Sequence, residues 1–108
     1  RSAYPYTVSG KHPSHGDALE QASILAFVAG ITERLRLVSS VLILPYRNPV
    51  LTAKMLATID VLSDGRLTVG VGVGWLEEEF TALRAAAFDR RGAVSDEYLR
   101  IFRKLWSE

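Results

Sequence analysis

The sequence has 108 residues, the size of one small domain. Apolar residues make up 48% and charged residues 23%, a balance typical of a folded core with a solvated surface. A net charge of +1 excludes the broad basic field of a nucleic-acid-binding protein. The sequence has no cysteine, which excludes disulfides, thiolate metal sites and cysteine nucleophiles. It also has no apolar run of the roughly 20 residues that a membrane-spanning helix needs.

The first part of the chain predicts a loop followed by a buried helix. Residues 1–16 combine prolines and glycines with polar residues and show no periodicity, which indicates a loop. Asp17 and Glu20 have the spacing of a capping box, so we expect a helix to start at Asp17 and to end near Gly30 or Thr32. That helix is apolar on almost every side, which predicts burial on more than one face.

The rest of the chain alternates strands with helices. Branched and apolar residues predict strands at 35–44 and 66–73, each covered on both faces as in a parallel sheet. Asn48-Pro49 predicts the start of the intervening helix. We expect that helix to bury a stripe of four residues: Leu51, Met55, Ile59 and Leu62.

Two further helices follow the second strand. Three glutamates after Trp75 predict a helix that begins at Trp75 or Leu76, since negative charge suits a helix N-terminus. We expect Ser95 to cap the last helix, after a connection over residues 87–94. The order predicts residues 17–108 to be α/β units built on a parallel sheet.

Two strands are too few for a stable sheet of this kind. They leave two open edges, and the first helix is too apolar to face water. We therefore expect either partner chains to supply more sheet, or residues 1–108 to be a segment of one larger α/β domain. The opening Arg1-Ser2-Ala3 resembles the interior of a longer chain.

The most unusual motif is the run of alternating valine and glycine from Val69 to Gly74. Residues two apart in a strand share a face, so the three glycines, Gly70, Gly72 and Gly74, point one way. Either a packed neighbour in the sheet or a flat ligand could require this, and the sequence leaves both open. The spacing is not that of a dinucleotide-binding fingerprint, and no P-loop is present.

Polar residues elsewhere give weaker signals. Ser39 and Ser40 interrupt a buried strand, which indicates either a bulge satisfied by the backbone or a polar spot beside a ligand. His12 and His15 lie in the loop without further rigid ligands, so no metal site is expected. The spacings support no Ser-His-Asp arrangement, and the catalytic residues are left unassigned.

The stretch from Ile31 to Phe80 resembles the bacterial luciferase-like monooxygenase family, most closely the branch that uses a deazaflavin coenzyme. The resemblance rests on a Pro–polar pair–Asn-Pro pattern after the first strand, then Leu62-Ser63-Asp64-Gly65-Arg66 and the glycine strand. The tail from Arg91 to Trp106 also matches. The resemblance implies a (β/α)8 barrel, of which this chain would be strands three and four with their helices.

The same resemblance implies a site at the strand ends. It assigns cofactor contacts to Ser39, Ser40 and Val41, with a cis peptide bond between Ser40 and Val41, and also to Gly72, Val73 and Gly74. It places Trp75 in the substrate pocket, where an indole favours a hydrophobic or aromatic substrate. The catalytic histidine of several relatives lies on the second strand, before Arg1, and has no counterpart here.

These observations predict a flavin- or deazaflavin-dependent oxidoreductase or monooxygenase that binds FMN or coenzyme F-420. We expect a small-molecule substrate, a homo-oligomer, a cytoplasmic location, and no nucleic acid or membrane partner. The isolated segment should have little activity. The alternative is a non-catalytic barrel fragment that self-associates through its open edges, with the glycines serving packing alone.

Overall fold

The computed structural model describes residues 19–107, which form an α/β arrangement around one parallel pair of strands. The elements in chain order are α1 (Gln21–Ile31), β1 (Leu37–Ile43), a short 3-10 helix (Leu44–Tyr46), α2 (Pro49–Leu62), β2 (Leu67–Gly72), α3 (Glu77–Ala82), a second 3-10 helix (Phe88–Arg90) and α4 (Arg91–Ser107). The predicted alternation of strands and helices is confirmed. The predicted loop at 1–16, with His12 and His15, lies outside the described residues.

Helix α1 begins later than the sequence predicts. Glu20 is the N-cap residue, and its carboxylate accepts hydrogen bonds from the backbone N–H groups of Ala22 at 2.8 Å and Ser23 at 3.0 Å. The prediction of Asp17 as the cap, with Glu20 three residues inside the helix, is therefore wrong for this helix start. Glu20 also pairs with Arg47 at 3.0 Å, which ties the start of α1 to the segment after β1.

This N-cap makes stability depend on pH. Burial works against ionisation of Glu20, but the hydrogen bonds from Arg47 and from two backbone N–H groups outweigh it, so its pKa falls from 4.5 to about 2. A carboxyl group with a lowered pKa stabilises the fold above its unfolded pKa, and this stabilisation is lost as pH falls through the folded pKa. Glu20→Gln should therefore unfold more easily than the unchanged chain at neutral pH, by about 1 kcal/mol, the usual contribution of an N-cap.

Urea unfolding of both chains over a pH series measures this difference. The difference in the free energy of unfolding between the two chains should disappear as the pH falls from 4.5 to about 2. A gap that stays constant over that range would show that ionised Glu20 contributes nothing.

The two strands are parallel and in register at their carboxyl ends, where Ile43 pairs with Gly72. This confirms the parallel sheet and places the ends of both strands at one edge. Helices α1, α2 and α4 cover one face of the sheet. One core cluster joins Leu42 and Leu44 to Ala53, Leu56 and Phe102, and the other joins Leu37 to Ala22, Ala29 and Ile59.

The buried face of α2 agrees with the predicted stripe at Ile59 and partly at Met55, but not at Leu51 and Leu62. Thr52, Ala53, Leu56 and Ile59 are buried, whereas Leu51 and Leu62 are 60% and 56% exposed. Helix α2 packs against α1 on one side and α4 on the other, and this rotates its buried face towards the small residues. Close helix contact favours Thr52 and Ala53, and Trp106 of α4 donates from Nε1 to the Ala53 carbonyl at 3.0 Å.

The start of α4 is also displaced from the prediction. The helix begins at Arg91, so Ser95 lies inside it and is buried. The Ser95 hydroxyl donates to the Arg91 carbonyl at 2.7 Å, one turn back, rather than capping the helix. The 3-10 turn over Phe88–Arg90 runs directly into α4, which leaves the predicted cap position within the helix.

The turn between α2 and β2 has the predicted position and an unpredicted role. Asp64 and Gly65 take positive φ angles of 56° and 77°, as expected for Ser63-Asp64-Gly65 as a turn. Arg66 then makes five side-chain hydrogen bonds: to the carbonyls of Ala29, Thr32, Leu35 and Ser63 and to the Thr32 hydroxyl. It thereby holds the C-terminal end of α1 at the amino end of the sheet.

One face of the sheet and parts of α1 are left uncovered by the described residues. Val38 and Val41 on the sheet are 56% and 48% exposed, and Phe27 and Ile31 on α1 are 61% and 65% exposed. The prediction that α1 is buried on more than one face is not met within residues 19–107, because these residues supply a layer on one side only. Among these residues, none of the helices is long and apolar enough to cross a membrane.

Candidate functional site

A β-bulge shapes the carboxyl end of β1. Ser39 pairs with Val69 and Leu42 pairs with Val71, so Ser40 and Val41 together lie opposite the single residue Gly70. The peptide bond between Ser40 and Val41 is cis, as the family resemblance implies. The bulge places Val41, which is half exposed, on the face of the sheet away from the helices.

The two serines have different environments. Ser39 is 2% exposed, and its hydroxyl donates to the Gly70 carbonyl at 2.8 Å, so it joins the bulge to β2. Ser40 is exposed. The sequence left two interpretations open for this pair: a bulge whose hydroxyls bond to the backbone, or a polar spot beside a ligand. The first of these describes Ser39. A cofactor contact at Ser39 or Ser40 stays a prediction.

The glycines of β2 make room for β1. A Cβ atom at Gly70 would overlap the Ser39 carbonyl oxygen, and one at Gly72 would lie 2.7 Å from Val41 Cγ2. Both contacts are closer than a side chain at these positions could tolerate. The bulge can therefore approach β2 this closely only because Gly70 and Gly72 have no side chains. Close packing by a neighbouring strand, one of the two predicted reasons for the stripe, is therefore present. This packing places Val41 on the face of the sheet that the helices leave uncovered.

The third glycine serves a different contact. Gly74 has a φ of 82°, and a Cβ atom there would lie 2.8 Å from Cε2 of the buried Phe80 ring and 3.2 Å from Ile43. Phe80 thus packs directly under the chain as it leaves β2. Trp75 follows this position and is 69% exposed.

An open groove of about 770 Å³ lies at the same edge. Its lining includes Val41 and Ile43 from β1, Tyr46 and Arg47 from the following segment, and Glu78 and Glu79 from α3. Its floor is apolar and its rim is polar. Within the described residues, Val41 belongs to the groove, whereas Gly72, Val73, Gly74 and Trp75 do not line it.

The groove rim contains contacts that sequence patterns did not identify. The Tyr46 hydroxyl donates to Glu79 Oε2 at 2.6 Å, and its ring meets Phe80 edge-on with centroids 5.0 Å apart. The signals in the sequence were a tyrosine after Pro45 and an aromatic residue after three glutamates, and neither specifies a partner 33 or 34 residues away. No group of three or more potential metal-binding side chains occurs among residues 19–107.

The arrangement is suited to a flat, mostly apolar ligand. Parallel α/β proteins bind ligands at the carboxyl ends of their strands, where the chain leaves the sheet. Here that edge presents Val41 and Ile43 as an apolar surface, bordered by hydrogen-bonding groups of Tyr46, Arg47 and Glu79. The fold and the site together define a parallel α/β protein with an open, mostly apolar groove at the carboxyl edge of its strands.

The chain belongs to the luciferase-like monooxygenase family, whose model matches residues 3–108. It is 33% identical over 114 residues to an uncharacterized protein of Mycobacterium tuberculosis, covering 96% of this chain and 40% of that protein. It is 32% identical to the FMNH2-dependent dimethylsulfone monooxygenase of Pseudomonas putida, covering 100% of this chain and 31% of the relative.

A solved structure shows the same likeness. The crystal structure of monooxygenase RslO1 from Streptomyces bottropensis matches with a TM-score of 0.76 at 37% identity, over 82% of this chain and 27% of that one. This chain therefore spans about 40% or less of the length of the relatives it matches. The family membership confirms the luciferase-like resemblance, while the deazaflavin branch within it is not confirmed.

Proposed function

We propose that this chain forms part of a luciferase-like monooxygenase that uses reduced FMN, and that it supplies strands three and four of a (β/α)8 barrel. The observation that carries the proposal is the bulge at Ser40–Val41, seated on Gly72 at the carboxyl edge of a parallel sheet. The exposed sheet face with Val38 and Val41 supports the barrel, since the inner face of such a barrel is filled by side chains from other strands.

The residues at this edge fit a flavin ring. Val41 offers a half-exposed apolar surface, and the glycines opposite the bulge carry no side chain that would compete for the space. Reduced flavin supplies the electrons with which such enzymes activate oxygen. In the proposal, Ser40 and Val41 support the ring from β1, Gly72, Val73 and Gly74 border it from β2, and Ser39 holds the bulge in place.

FMN is preferred over coenzyme F-420 because of the relatives. The Pseudomonas putida relative is named as FMNH2-dependent. A second relative, the pyrimidine monooxygenase RutA of Allorhizobium ampelinum, is 32% identical over 94 residues, covering 83% of this chain and 25% of that protein. We therefore propose an oxygen-inserting reaction on a small molecule, with Trp75 facing the substrate. The homo-oligomer and the cytoplasmic location stay predictions. Sedimentation velocity can measure the oligomeric state.

The experiment is an anaerobic titration with FMNH2 and reduced F-420 in parallel. It uses this chain and also the Pseudomonas putida monooxygenase in which this chain replaces the matching segment, so that a complete pocket is present. We expect the exchanged protein to bind FMNH2 more tightly than F-420, and the chain alone to bind weakly. Tight, stoichiometric binding by the chain alone would show that the segment is sufficient.

A substitution at Gly72 tests the role of the bulge. Gly72→Ala places a methyl group 2.7 Å from Val41 Cγ2, so Val41 must move out of the position that faces the ring. We expect about tenfold weaker FMNH2 binding in the exchanged protein, a loss of about 1.4 kcal/mol. The control is Gly92→Ala, whose added methyl group meets nothing within 4 Å. Equal binding by both variants would contradict the placement of the ring at Val41.

A further inference from the structure

Two segments at the candidate site are held together by α3. Tyr46 belongs to the segment after β1, and Gly74-Trp75 is the segment after β2. Tyr46 contacts both Glu79 and Phe80 of α3, and Gly74 lies against the same Phe80 ring. The conformation of one strand end therefore depends on the other through a short chain of side chains.

The contacts in this chain are close and directional. The hydrogen bond from the Tyr46 hydroxyl to the Glu79 carboxylate is 2.6 Å, the short distance of a charge-assisted bond. The Tyr46 and Phe80 rings meet at an interplanar angle of 80°, the edge-to-face geometry that aromatic pairs prefer. The Phe80 ring also lies against Gly74, which has no side chain to move aside.

A third aromatic ring also packs against Phe80. The Phe88 ring meets Phe80 edge-on at 5.2 Å, and the Arg91 guanidinium lies 4.0 Å above the Phe88 centroid. Phe80 is 3% exposed and is held between these groups. Tyr46, which also lines the groove, packs against the same ring.

We infer that Tyr46, held by Glu79, is a positioning residue that fixes the backbone at Gly74 through Phe80, and with it the neighbouring Trp75. The inference rests on the proposed function in one respect, namely that Trp75 faces the substrate. Neither core cluster includes Tyr46, Glu79 or Phe80, so loss of the Tyr46 hydroxyl should loosen the groove rim while the core stays packed. The hydroxyl thus acts on the segment at Gly74, from which Trp75 extends, rather than on folding.

The test reads the mobility of Trp75 directly and needs no flavin. The sequence has two tryptophans, so Trp106→Phe leaves Trp75 as the single fluorescent indole. In this background, Tyr46→Phe removes the hydroxyl and keeps the ring. We expect a loss of Trp75 fluorescence anisotropy with little change in the midpoint of thermal unfolding. Glu79→Ala should give the same loss, and Glu79→Gln, which keeps an acceptor oxygen, should restore most of the anisotropy.

The control makes the same chemical change elsewhere. Tyr98→Phe alters a tyrosine of α4 that packs against the first core cluster. Its anisotropy should equal that of the parent. Unchanged anisotropy in Tyr46→Phe, or an equal loss in Tyr98→Phe, overturns the inference. Failure of the flavin titration would remove the proposed function and leave this result standing, since the readout involves no cofactor.

Discussion

Gly70→Ala should disrupt the pairing of the two strands and lower the free energy of unfolding by about 3 kcal/mol, the upper end of the usual cost of overpacking. The added methyl group would overlap the Ser39 carbonyl oxygen, which belongs to the backbone and cannot rotate away. The same movement would break the hydrogen bond from the Ser39 hydroxyl to the Gly70 carbonyl. Urea unfolding followed by circular dichroism measures the loss.

The matched control is Gly30→Ala, an identical change near the end of α1. A Cβ atom there meets nothing within 4 Å, and alanine favours a helix over glycine by up to about 1 kcal/mol. We expect this variant to be as stable as the parent or slightly more so. Gly70→Ala should therefore lower the free energy of unfolding, whereas Gly30→Ala should leave it unchanged or raise it. A Gly70→Ala chain as stable as Gly30→Ala would refute the close approach of the bulge to β2.

Arg66→Met should lower the free energy of unfolding by about 3 kcal/mol, because it leaves several partly buried carbonyl groups without a hydrogen-bond donor. The five side-chain hydrogen bonds of Arg66 use every N–H of its guanidinium group. Two of the acceptors, the carbonyls of Ala29 and Thr32, lie at the C-terminal end of α1, where unpaired carbonyls and the helix dipole favour a cation. α1 has no basic residue in its own last turn.

Two further variants make this prediction specific. Arg66→Lys keeps the charge but loses the planar fork, so we expect it to recover only a part of the stability. Arg103→Met removes an exposed arginine of α4 and should change the free energy of unfolding by no more than about 0.5 kcal/mol. If Arg66→Met and Arg103→Met unfold at the same urea concentration, Arg66 does not hold the end of α1.

Local signals in the sequence placed several elements correctly. Asn48 caps α2 by accepting a hydrogen bond from the Leu51 N–H at 3.0 Å, and Pro49 is the first helical residue, as predicted. The positions of Asp64 and Gly65 in the turn were also predictable. Each of these features depends on residues three or four apart, so the pattern along the chain contains the information.

Predictions that required knowledge of a packing partner were less successful. The stripe from Leu51 to Leu62 follows from periodicity, but α2 buries Thr52 and Ala53 because α1 and α4 both press against it. Ser95 has the residue type of a cap, but the preceding 3-10 turn joins α4 at Arg91 and encloses it. In both places a contact between distant segments decided which of two plausible local arrangements formed.

By itself, the sequence determined the alternation of strands and helices and the parallel pairing, since these follow from residue type and spacing over a few positions. The edge at which the candidate site lies was implied by the family resemblance. Only the tertiary structure decided what the glycines contact, which carbonyls Arg66 binds, and that Tyr46 reaches Glu79. Most of those contacts join residues more than 30 positions apart, such as Gly70 with Ser39, Arg66 with Thr32 and Tyr46 with Glu79. Their partners are fixed by how the helices pack on the sheet, which no short stretch of sequence specifies.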